Sequence, residues 1–253
     1  MDVARLVEGL HTVTADFAKA VAGADPEAKV PTCPEWPLRV LVGHIGQAHR
    51  WAAETARGKQ SPRPDPFEAD PGTDWSAWLT DGANGLTDAV LAAGDRQVWT
   101  FFGPGPAAFW LRRMLHDTIV HHADAAFVTG AAFEVAPDLA TEAVTEWFDV
   151  LTNPLTPTIR PEIAELNGTG QTLAFHPSDA PGWLLTRTPD GPRVRPGNQA
   201  QPDTPNAGFG QNVALSGPVA DLLLVLTRRL PAEHVTVTGD RALIDHWLAH
   251  TAA

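Results

Sequence analysis

The chain has 253 residues, enough for one large domain or two ordinary ones with substantial cores. Thirty acidic side chains against eighteen basic give a net charge of −12, which argues against a clustered basic face for nucleic acid and fits a solvated acidic surface. No stretch approaches the roughly 18 apolar residues that cross a bilayer, the first twenty residues lack the pattern of a signal peptide, and the single cysteine, Cys33, excludes an intrachain disulfide; a cytoplasmic protein without membrane partners is expected.

The first half reads as helices. Leu6, Val7, Leu10, Val13, Phe17 and Val21 recur at three- and four-residue steps, and Gly23 and Pro26 end that helix. A second helix starts near Pro37 and carries Leu41, Ile45, Ala48 and Ala52 on one face before Gly58. Four prolines between Ser61 and Thr73 make a long surface loop. Asp74 caps a third helix through Trp75, Trp78, Leu79, Leu86 and Val90, and the run Gly103-Pro104-Gly105-Pro106 breaks the chain before a fourth helix from Ala107 to about Thr129. Four such helices suit a four-helix bundle.

The second half changes character. Asp138 is read as the cap of an amphipathic helix with Leu139, Val144, Trp147, Phe148 and Leu151. After a proline-rich turn region, short strands are predicted at 172–176, 183–187, 193–195 and 211–215, with a polar mobile loop from Pro196 to Ala207. An apolar helix follows Ser216-Gly217-Pro218 and ends at Pro231; a strand at 235–237 and a helix from Arg241 to His250 complete the pattern. The expected architecture is a two-domain α+β protein, with a helical bundle over 1–133 and a small α+β domain over 134–253.

Chemistry concentrates in two places. In His116-Asp117-Thr118-Ile119-Val120-His121-His122-Ala123-Asp124, Asp117 and His121 stand four residues apart, so a helix stacks them on one face. His44 lies between Leu41 and Ala48 on the apolar face of the second helix and can supply a third ligand to one divalent metal. Three protein ligands leave a coordination position open, as in catalytic centres. The plain alternative is a hydrogen-bonded Asp–His pair beside a neutral buried His44. Asp124, one turn beyond His121, either fixes the tautomer of that ring or is an ordinary helix-face carboxylate satisfied by an arginine. His116 and His122 project to the sides and are read as non-ligands, and His49 lies off the His44 face. Cys33, with no base adjacent in sequence, reads as a lone buried or half-buried thiol, while His11, His176, His234, His246 and His250 are assigned packing or surface roles.

At these residues the sequence resembles the mycothiol-dependent maleylpyruvate isomerase family, whose N-terminal domain is a DinB-like metal-binding bundle. The likeness is carried by Val30-Pro31-Thr32-Cys33-Pro34-Glu35-Trp36 leading into Val40-Leu41-Val42-Gly43-His44, by Val98-Trp99-Thr100, and by the run from Arg112 to Ala125. In the second half it rests on the stretches 217–226 and 237–243. The resemblance implies zinc held by His44, Asp117 and His121, a bundle-lining aspartate at Asp124, and an active-cleft arginine at Arg228 or Arg229. It further implies mycothiol as cofactor, and a small-molecule electrophile and low-molecular-weight thiol as the partners of a monomer or homodimer. Isomerase or S-transferase activity follows as the expectation.

Three positions depart from the family pattern. Asp117 replaces its glutamate and shortens the reach by one methylene, His122 replaces an arginine, and Ala126 replaces the terminal glutamate of the motif. Two rival expectations therefore stand beside the first. One is a thiol-independent metal enzyme acting by Lewis-acid cyclisation, elimination or hydrolysis; the other is a metal-free protein that binds a small ligand.

Overall fold

The computed structural model describes residues 1–197 and 211–251. The chain forms two compact units, Met1–Val135 and Ala136–Ala253. In the first, helices α1 (Val3–Ala20), α2 (Leu38–Ala56), α3 (Trp75–Ala93) and α4 (Ala108–Thr129) pack as the expected four-helix bundle. Asp2 caps α1 through the Arg5 N–H, and Asp74 caps α3 through the Ala77 N–H. Phe17, Val21, Leu38, Leu41, Ile45 and Leu79 fill the core where α1, α2 and α3 meet.

Two hairpins depart from the helical expectation. Strands β1 (Lys29–Val30) and β2 (Cys33–Pro37) pair antiparallel just ahead of α2, so Pro37 is the cap of that helix and not part of its first turn. The Gly-Pro-Gly-Pro run, read as a break, forms β4 (Gly103–Pro106) against β3 (Gln97–Thr100). Pro104 and Pro106 are two residues apart, so their missing N–H groups face the same side, and pairing survives through the glycines on the other. The loop at 61–73 contains one short 3-10 turn, Pro66–Glu68.

The second unit opens with α5 (Pro137–Thr152). Its cap is Ala136 with Pro137 at the first helical position, which leaves Asp138 in the first turn and corrects the capping role expected for it. After α6 (Thr156–Ile159) and a 3-10 segment, Pro161–Leu166, come β5 (Thr172–Pro177), β6 (Gly182–Thr188), β7 (Gly191–Gly197), β8 (Val213–Gly217), α7 (Val219–Leu226), β9 (Thr236–Gly239) and α8 (Arg241–His250). The sheet order is β7-β6-β5-β8-β9, parallel between β5 and β8 and antiparallel elsewhere. Phe148, Leu173, Phe175, Leu215, Leu222 and Trp247 are buried around it. Pro196 and Gly197, expected to begin a mobile loop, instead finish β7; residues 198–207 of that predicted loop lie outside the described residues. No helix among the described residues is long and apolar enough to cross a membrane.

Candidate metal centre

The centre is assembled from α2, α4 and the β1–β2 hairpin, all in the first unit. Because α2 turns its apolar face inward, His44 is drawn in with Leu41 and Ala48 and is only 5% exposed. On α4 the four-residue spacing brings Asp117 and His121 to the same side, and His121 is 8% exposed. His44 Nε2 stands 3.6 Å from Asp117 Oδ2, and the two imidazoles meet edge to face with centroids 5.2 Å apart. One donor atom from each of His44, Asp117 and His121 lies within 4.8 Å of the other two.

Asp124 settles which nitrogen of His121 is available. Fully buried, it accepts a hydrogen bond from His121 Nδ1 at 2.8 Å and another from the Thr32 hydroxyl at 2.6 Å. A carboxylate facing Nδ1 requires the proton there, so the lone pair falls on Nε2, the nitrogen free to ligate.

Electrostatics favour the ligating protonation states. Burial lowers the His44 pKa from its ordinary 6.5; hydrogen bonding and charge attraction from Asp117 oppose the shift without reversing it. The imidazole is thus neutral at neutral pH, as a metal ligand must be. Burial alone would raise the Asp117 carboxyl, but the neighbouring His44, His121 and Arg113 together hold it well below the usual carboxylate range. Arg113 Nη2 lies 3.6 Å from Asp117 Oδ1, one turn back along α4. Two imidazoles and one carboxylate form the mixed donor set that suits zinc and similar borderline divalent ions, and the residues present therefore fit such an ion.

The hairpin supplies what sequence reasoning missed. Trp36 packs against both ligand rings, its centroid 5.0 Å from His44 and 5.9 Å from His121. Cys33, read from sequence as a thiol with no nearby base, has its sulfur within 4.8 Å of donor atoms of His121 and Asp124. In that second trio Asp124 is already engaged by His121 Nδ1 and by the Thr32 hydroxyl, whereas the trio containing His44 leaves both bonds intact. The signal for Thr32, Cys33 and Trp36 was a Cys-Pro-Glu-Trp stretch immediately preceding a ligand-bearing helix, which carries no periodicity of its own.

Among the other sequence candidates, His49 is buried on α2 and bonds Thr118, not the centre. His122 is also buried, stacked on Phe17 and edge-on to Phe133, and burial lowers its pKa. His116 is buried on α4 and lies outside the ligating trio. Arg228 and Arg229 follow α7 in the second unit: Arg228 is exposed, with φ 62°, and Arg229 donates to the Thr227 carbonyl at 2.9 Å.

Two family domains match the sequence, the mycothiol maleylpyruvate isomerase N-terminal domain over residues 7–126 and the MDMPI C-terminal domain over residues 138–246. The crystal structure of the mycothiol-dependent maleylpyruvate isomerase is similar, with a TM-score of 0.57 at 14% identity over 94% of this chain and 93% of that one. A histidine-to-alanine mutant of that isomerase gives a TM-score of 0.58 at 15% identity with the same coverage. At these identities the likeness is one of fold. No curated protein sequence matches the chain.

Proposed function

This chain belongs to the family built from the mycothiol maleylpyruvate isomerase N- and C-terminal domains, and from that premise we propose a divalent-metal-dependent enzyme that activates a low-molecular-weight thiol for addition to an electrophilic small molecule. The observation that carries the reading is the trio His44, Asp117 and His121, with the far nitrogen of His121 held by a buried Asp124. When bound there, a zinc ion would lower the pKa of a thiol and keep it as thiolate at neutral pH. Mycothiol is the thiol the family resemblance names.

The chain's own groups act on orientation and water. Asp124 and Thr32 hold the His121 ring at a fixed angle, and Trp36 covers the two imidazoles with an apolar face that limits solvent. Arg113 adds positive charge beside Asp117. A thiolate that adds to an activated double bond leaves a single bond free to rotate; expulsion of the thiol then gives isomerisation, and its retention gives a conjugate. The reading assigns the grip on a substrate carboxylate to Arg228 or Arg229, by bidentate pairing.

One observation favours a second reading, a metal enzyme that needs no thiol. At position 122 the guanidinium of the family pattern is replaced by an imidazole buried between two phenylalanines, which brings no fixed positive charge to the site. Turnover of candidate electrophiles with and without added thiol separates the two. For both, His121→Ala is expected to abolish activity together with the zinc equivalent that His44, Asp117 and His121 would hold, and a variant that keeps that equivalent would reject the ligand assignment.

A further inference from the structure

The second unit carries a constellation that the thiol chemistry leaves unused. Helix α8 places His246 and His250 four residues apart and therefore on one face. Their rings stack with centroids 4.3 Å apart at an interplanar angle of 30°. The 3-10 segment Pro161–Leu166 brings Glu165 to the same place, and one donor-type atom from each of Glu165, His246 and His250 lies within 4.8 Å of the other two. Sequence reading gave both histidines ordinary roles because the acidic partner stands far upstream.

The local chemistry favours a cation. His250 Nδ1 lies 2.8 Å from the His246 carbonyl. A carbonyl can only accept, so Nδ1 bears the proton and Nε2 carries the lone pair. His246 Nδ1 is buried with no hydrogen-bond partner. Both rings sit in the last turns of α8, at the negative end of its dipole, and Glu165 adds a formal negative charge. The nearby Arg187 guanidinium is committed to the carbonyls of Glu165, Leu166 and Asn167 at 2.8–2.9 Å. Those bonds hold the backbone that presents Glu165.

We propose that Glu165, His246 and His250 form a second cation site, which takes one borderline divalent transition ion and cross-links α8 to the 161–166 segment. Two imidazoles and one carboxylate select zinc, nickel or copper(II) over magnesium or calcium, and leave a position for water. The site stands independently of the thiol chemistry, because its donors all belong to the second unit.

The test uses the untagged full chain, stripped with chelator and titrated with zinc chloride in a calorimeter. Wild-type protein takes up about two equivalents, and His121→Ala protein retains the one belonging to α8. Adding Glu165→Gln or His250→Gln to that variant weakens the remaining event about tenfold or more and removes the rise in Tm that zinc produces. Glu165 is exposed, so Glu165→Gln gives a reading even where a histidine substitution perturbs folding. Zinc uptake by His121→Ala protein that is unchanged by both additional substitutions, or no uptake at all, overturns the proposal. Loss of the His121-dependent equivalent bears only on the first centre, so the two failures are distinguishable.

Discussion

His49 gives the acid limb of this protein's stability a source that can be worked out from its surroundings. The Thr118 hydroxyl donates to the Met114 carbonyl at 2.6 Å, so toward His49 it can only accept. His49 Nε2, 2.8 Å away, therefore carries the ring proton. The other nitrogen, Nδ1, is buried with no partner, so a second proton would place an unpaired charge inside the bundle. Burial, reinforced by Arg50 and His44 and opposed by Asp117, pulls the His49 pKa from 6.5 down to about 3.

The unfolded chain binds this proton near pH 6.5 and the folded chain only near pH 3, so stability is complete above the higher value and drains away as pH falls between the two. From pH 7 to pH 5 the loss from His49 alone is about 2 kcal/mol. His49→Gln keeps an N–H for Thr118 and removes the titration. Urea unfolding at pH 7, 6 and 5 should show the wild type losing about 2 kcal/mol more than the variant over that range. His44 and His122, also lowered by burial, contribute to both proteins and cancel in the difference. Equal losses in the two proteins would refute the assignment of a neutral His49.

Further outcomes follow from single contacts. Asp124→Asn should weaken zinc binding about 10- to 100-fold in competition with a chromophoric chelator, because the far nitrogen of His121 loses its anionic partner; unchanged affinity would remove Asp124 from the centre. At Gly46 an added Cβ would stand 2.1 Å from Trp78 Nε1, so Gly46→Ala should cost about 1–3 kcal/mol in urea unfolding, and wild-type stability would mean that Trp78 yields freely. Arg228 holds a left-handed conformation with a full side chain, so Arg228→Gly should gain about 1 kcal/mol of stability. A simultaneous rise in KM for a carboxylate substrate would show that the arginine is retained for binding, and an unchanged KM would dismiss that role.

How much was legible from the sequence depends on how locally each feature is encoded. Helices α1 to α4 were readable because their apolar positions repeat every three or four residues over four turns or more. The same rule placed Asp117 and His121 on one face, and position on an apolar face singled out His44. The β1–β2 hairpin was invisible because strands of two and five residues, one containing prolines, carry neither alternation nor propensity. With it went Trp36 and Cys33, whose place beside the histidines is decided by tertiary packing. Gly103-Pro104-Gly105-Pro106 was misread because its composition says turn, while only pairing with Gln97–Thr100 reveals that its prolines all face outward. The pairing of Glu165 with two histidines on α8 depends on a long-range approach that no local pattern announces.

The bond from Thr32 to Asp124 joins residues 92 positions apart. Between them lie two further helices and a proline-studded loop, and both ends of the bond exist only once the chain has been made as far as the fourth helix. During synthesis, then, a chain stopped short of residue 124 possesses one imidazole of the centre in its proper helix but no braced partner for it. A cation held by His44, Asp117 and His121 would therefore be taken up late by the nascent polypeptide, once the fourth helix has left the ribosome.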